Sequence, residues 1–221
     1  MVDYKIINIK NIQPKTINKM YIILLNNNYP FLILKHKNNL LVLTKEKTIF
    51  KINNIIEFIN EYPKNVFYKT NLINKKTTIN LQDLQIFKNY IKKYKKYLYK
   101  TKCNKYIFGC IAVKTNNGFI TTTRGKQNLN DFTFVESVDH KNKIINVINK
   151  KATLNAPLLD HLFKNPKIKV IVHLHKYNNN LPFYEYAFPG TVKDSRRNNT
   201  ASFNIRHHGL VYLFDKNNNL I

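Results

Sequence analysis

The chain has 221 residues, with 37 Lys and Arg against 12 Asp and Glu, a formal charge of +25 at pH 7. With 43% hydrophobic and 13% aromatic residues it can bury a real core, which excludes wholesale disorder. No apolar run is long enough for a transmembrane helix and the N-terminus lacks an apolar signal region. Cys103 and Cys110 make neither a disulfide framework nor a CxxC pair, so a reducing compartment is expected. The charge comes from 33 Lys and only 4 Arg, Trp is absent, and Asn, Ile, Tyr and Phe abound. Those residues have A/T-rich codons, so an A/T-rich genome accounts for the basicity as readily as nucleic-acid binding does. Arg, the usual bidentate phosphate ligand, is scarce.

Residues 1–78 are read as an N-terminal extension. Short apolar runs at Tyr21–Leu25, Phe31–Leu34, Leu40–Thr44 and Thr48–Ile52, separated by Asn/Lys turns, predict a β-meander. A short helix over Asn54–Tyr62, stopped by Pro63, is expected to follow. From residue 79 a second domain begins. Residues 81–99 place Leu81, Leu84, Phe87, Tyr90 or Ile91, Tyr94 and Leu98 on one helical face, opposite Lys88, Lys92, Lys93, Lys95 and Lys96. Strands are predicted at Tyr106–Lys114, Gly118–Thr123, Thr133–Val138 and Lys143–Ile148, the first two joined by an Asn116-Asn117-Gly118 turn. A helix over Leu154–Phe163, with Thr153 as N-cap, precedes apolar strands at Val170–His175 and His208–Phe214. Strands with helices at either end indicate an α+β or helix-covered sheet.

The chemistry is concentrated in histidines. In IVHLHKY, His173 and His175 stand two apart at the end of an apolar strand, so both rings leave the same face. In RHHGLVYL, His207 and His208 precede a second apolar strand. If the strands are neighbours, three imidazoles converge, which is the donor set of a catalytic Zn²⁺ site with an open position.

The order of these features from about Leu81 to Leu213 resembles the class II aldolase/adducin family, which includes fuculose-phosphate aldolase, ribulose-phosphate 4-epimerase and methylthioribulose-phosphate dehydratase. FGCIAVK is similar to that family's GN-I/L-S-V, GFITTTRG to its FLITPSG, NPKIKVIVHLH to its RPDVKAVVHTH, LPFYEYAFPGT to its IP-x-x-x-Y-x-PGT, and RHHGLVYLF to its NHGLVVWG. The resemblance implies an α/β (α+β) fold: a three-layer domain over 79–221, its central mainly antiparallel sheet flanked by helices. It implies a divalent metal, usually Zn²⁺, on His173, His175 and His208, with His207 as the alternate ligand. It also implies a lyase, epimerase or dehydratase working through a metal-stabilised enediolate of a small sugar phosphate, and a homo-oligomer, typically a tetramer. By the same alignment Thr122, Arg124, Gly125 and Thr153 fall in the phosphate-binding stretches. Asn155 falls where the family has its acid/base Glu, and an amide takes up no proton at neutral pH.

Three readings therefore stand. The chain is a metal-dependent enzyme of cytoplasm, organelle or endosymbiont interior; or it keeps the fold as a scaffold without catalysis; or it is a basic RNA-binding subunit of an organellar ribonucleoprotein.

Overall fold

In the computed structural model the described residues are 4–27, 29–44, 49–52, 54–56, 58, 68–75, 77–102, 107–185, 187, 189–197, 199–206 and 208–221. By its internal contacts the chain divides into two compact units, residues 1–65 and 66–221.

The first unit is built on a four-stranded sheet of order β1-β2-β3-β4: β1 (Lys5–Asn8), β2 (Phe31–His36), β3 (Asn39–Thr44) and β4 (Ile49–Ile52). Strands β2 to β4 form an antiparallel meander. Strand β1, however, lies parallel to β2, joined to it by helix α1 (Pro14–Asn26). The YIILL run read as a strand is thus the second half of α1. Pro14 at the helix start and Ile17, Met20 and Leu24 on the buried face give a helical spacing, and a short apolar run alone does not distinguish helix from strand. The helix expected over 54–62 lies largely outside the described residues.

The second unit is a nine-stranded sheet of order β11-β12-β13-β10-β6-β7-β8-β9-β5. Its strands are β5 (Lys69–Ile73), β6 (Cys110–Thr115), β7 (Gly118–Thr122), β8 (Phe132–Asp139), β9 (Ile144–Ile148), β10 (Val170–Leu174), β11 (Phe183–Tyr184), β12 (Phe203–Ile205) and β13 (Gly209–Phe214). All neighbours are antiparallel except β5 with β9 and β11 with β12. Strand β5 lies in sequence before residue 79 yet pairs along its whole length with β9. The boundary between the units therefore precedes it, because ladder pairing rather than local composition assigns a strand to a sheet.

Helix α2 (Leu81–Lys100) covers one face through Phe87, Tyr90, Tyr94 and Leu98, and Asn80 caps it by accepting from the Gln82 amide at 2.8 Å. Helix α3 (Ala156–Phe163) covers the other through Leu158, Leu159, Leu162 and Phe163. The result is the three-layer, mainly antiparallel α/β architecture. Burial of each such side chain contributes about 1.5–3 kcal/mol, so the two helical faces are the main clamp on the sheet. The cap of α3 is Asn155 rather than Thr153. Strand β10 is buried over all five residues because it is central and covered on both sides. Its side chains alternate: Val170, Val172 and Leu174 pack on the α2 side, and Ile171 on the α3 side. The same alternation sends His173 to the α3 side. Among the described residues no helix is long and apolar enough to cross a membrane.

Candidate metal centre

The end of β10 supplies His173 and, one step beyond, His175. The third histidine comes from the turn between β12 and β13, where the His208 amide bonds to the Ile205 carbonyl at 3.1 Å. Pairing of β13 with β10 sets Leu174 opposite Leu210 and so brings this turn beside His175. Gly209 allows the approach. Its φ is +142°, and a Cβ there would lie 2.1 Å from the Leu174 carbonyl oxygen and 2.9 Å from the His175 Cα. Only glycine fits so close a crossing.

The three rings converge. Their centroids are 5.0 Å apart for His173–His175, 4.5 Å for His173–His208 and 5.0 Å for His175–His208. Their donor nitrogens all lie within 4.8 Å of one another. His173 is 2% exposed, and His175 keeps an open edge to solvent. The His173 Nδ1 is 2.9 Å from the Leu210 carbonyl oxygen, which can only accept, so Nδ1 carries the proton and the lone pair sits on Nε2. That Nε2 is buried and has no hydrogen-bond partner among the described residues.

Burial, reinforced by the Lys126 charge and only partly offset by the Leu210 bond, pushes the His173 pKa down to about 4. Burial first, then His173 and Lys126, holds His175 well below its ordinary value. Burial, then His173, His175 and Arg197, does the same for His208. Each shift favours the neutral ring, the form that binds metal. The orphaned lone pair of His173 and the all-nitrogen donor set fit a divalent ion such as Zn²⁺. His207 lies outside the described residues.

Around the triad the sequence-derived positions separate into two groups. Cys110, opposite His173 on β6, is fully buried, and burial pushes its thiol pKa up. Asn155 reaches it, with Nδ2 3.8 Å from Sγ, while its Oδ1 is buried without a hydrogen-bond partner among the described residues. Thr153 accepts from the Asn155 amide at 3.4 Å. Asn155 and Thr153 thus stand on the α3 side, next to the strand that pairs with His173. Arg124 and Gly125 are exposed and line a cavity of about 450 Å³ together with Thr123, Lys126, Lys150 and Lys151. Thr122 is buried at the end of β7, is not among that cavity's walls, and its Oγ1 has no partner among the described residues.

The residue that sequence reasoning missed is Lys126. It is 4% exposed, its Nζ donates to the Gly109 carbonyl at 2.5 Å, and burial pushes its pKa down to about 8. One lysine among 33 carries no signal in the sequence. Only its burial distinguishes it.

No protein-family model matches the chain, and no curated protein matches it. Among solved structures the chain is similar to YgbL from Escherichia coli, at 13% identity over 60% of this chain and 79% of that one, with a TM-score of 0.45. It is similar to the L-fuculose-1-phosphate aldolase of Thermus thermophilus, at 13% identity over 60% of this chain and 81% of that one, TM-score 0.41. It is also similar to an aldolase II superfamily protein from Pseudomonas syringae, at 10% identity over 62% of this chain and 68% of that one, TM-score 0.44. All three diverge strongly from this chain in sequence.

Proposed function

We propose that His173, His175 and His208 hold a divalent cation, Zn²⁺ in the first instance, and that the loaded site acts on a small phosphorylated sugar as a lyase, epimerase or dehydratase of class II aldolase type. The observation that supports this reading is the convergence of three imidazoles, their donor atoms within 4.8 Å of one another. When bound, the cation would act as a Lewis acid on a substrate carbonyl oxygen. The protein's own groups suit the rest of such a ligand. The cavity walled by Lys126 also carries Arg124, Lys150 and Lys151 against a single carboxylate, Asp131, a charge balance that suits a phosphate.

A second reading, a metal-binding member of the fold without turnover, is favoured by one observation. Asn155, in the family's acid/base position, is buried with its amide turned to the Cys110 thiol, and an amide does not accept a proton at neutral pH. Metal analysis of the purified protein beside a His173→Ala/His175→Ala variant tests both. About one ion per chain, lost in the variant, is the expected result. Turnover across a panel of ketose phosphates then selects the enzyme, and its absence with metal bound selects the second reading. Wild-type protein that takes up no Zn²⁺, Co²⁺ or Mn²⁺ refutes both.

A further inference from the structure

Lys126 is a buried ammonium without a carboxylate. Among the described residues its one hydrogen-bond acceptor is the Gly109 carbonyl, although an ammonium has three protons to place. Lys169, by contrast, reaches Asp83 at 2.7 Å. A charge withdrawn from water in this way is costly unless something compensates it.

Its surroundings say where the compensation belongs. Gly109 is pressed against β10: a Cβ on it would lie 2.6 Å from the His173 carbonyl oxygen. The Lys126 charge is felt at His173, His175 and Cys110. The same residue walls the cavity that holds Arg124 and Gly125. Lys126 therefore walls the cavity and reaches, through Gly109, the strand that carries His173. A divalent cation on the histidines and an ammonium at this position repel each other. An anion between them removes the repulsion and supplies the missing acceptors.

We propose that Lys126 is the counter-charge for an oxyanion seated between the cavity and the three histidines, so that the site takes up a divalent cation and an anionic ligand together. The inference rests on the metal reading above and assigns the residue that faces the ligand's anionic group. The ligand class is a small hydroxy-carbonyl compound with a phosphate or carboxylate oxygen on the Lys126 side. A neutral sugar leaves the ammonium uncompensated and is rejected for that reason. Lys126 is a positioning and specificity residue in this account.

Zn²⁺ affinity, measured on the full chain by competition with a chromophoric chelator, tests it. Wild type, Lys126→Met, Lys126→Gln and Lys126→Arg are each titrated without added anion, with methyl phosphate and with glycolate. In wild type at least one anion is expected to tighten Zn²⁺ binding about fivefold or more, within the usual range for coupled sites. The anion that does so identifies the phosphate or the carboxylate arm. Lys126→Met and Lys126→Gln are expected to bind Zn²⁺ more tightly than wild type without anion and to lose the anion effect, while Lys126→Arg keeps it. A lysine that only ties its loop to Gly109 would change the unfolding midpoint and leave the coupling intact. Zn²⁺ bound with no anion effect in wild type, or with the same effect in the Met and Gln variants, overturns this inference alone. Wild type that binds no Zn²⁺ overturns the metal reading and the inference with it.

Discussion

Replacing Gly209 with alanine tests whether the triad depends on the close crossing of β13 over β10. The new Cβ would lie 2.1 Å from the Leu174 carbonyl oxygen. A comfortable carbon–oxygen contact is about 3.3 Å or more, so the two strands must part by roughly 1 Å at this point. A φ of +142° adds strain of about 1–3 kcal/mol for a residue with a side chain. Strain and displaced pairing together predict a stability loss of about 3 kcal/mol or more. The displacement falls on His208, whose ring is 4.5 Å from that of His173 and 5.0 Å from that of His175. Metal sites tolerate about 0.5 Å of error, so Zn²⁺ affinity should fall about 10- to 100-fold, as when a ligand's support is lost. Gly118→Ala is the control. Its Cβ would also lie 2.1 Å from a carbonyl oxygen, that of Val135, at a φ of +130°, but in the β6–β7 hairpin. Urea unfolding should show similar losses for both variants, while chelator competition shows weakened Zn²⁺ only for Gly209→Ala. Full Zn²⁺ affinity in folded Gly209→Ala would refute the argument that this crossing sets the site.

Two further outcomes concern the framework around the centre. Asp194 is 1% exposed and burial raises its pKa to about 6, against the opposing effect of Arg197, whose Nε donates to Oδ1 at 2.9 Å. A carboxyl with a raised pKa binds its proton more tightly in the folded state, so deprotonation favours unfolding. Its stabilising effect is present below about pH 4 and is lost as pH rises towards 6, a difference of about 3 kcal/mol. Asp194→Asn should remove this dependence, so the wild type should lose stability relative to the variant between pH 4 and 6.5 in paired urea titrations; parallel curves would contradict it. Tyr68 joins a second network: its hydroxyl is 2.6 Å from His140 Nδ1 and 3.3 Å from Ser195 Oγ, and His140 Nε2 is 2.7 Å from Asp160 Oδ2. Tyr68→Phe should cost about 1–2 kcal/mol in urea unfolding without altering Zn²⁺ affinity, and a neutral effect would mean that water replaces the hydroxyl at no loss.

What could be read from the sequence was local. The His-x-His spacing on an apolar run dictates that two imidazoles share a face, because a strand has a period of two wherever it lies. The amphipathic stripe of residues 81–99 likewise emerges as α2 (Leu81–Lys100), and the Asn-Gly turn as the β6–β7 hairpin. Local patterns failed where two periods fit one run, as at Tyr21–Leu25, which proved helical. They failed also where pairing is long-range, as for β5, whose partner lies some 75 residues on. By itself the sequence determined that a rigid strand edge would present His173 and His175 side by side. Tertiary structure alone decided that β13 crosses β10 tightly enough at Gly209 to add His208, and that Lys126 is withdrawn from water beside them. Both depend on which distant segments exclude solvent and each other, and burial is a property of neighbours that no residue carries in its own identity.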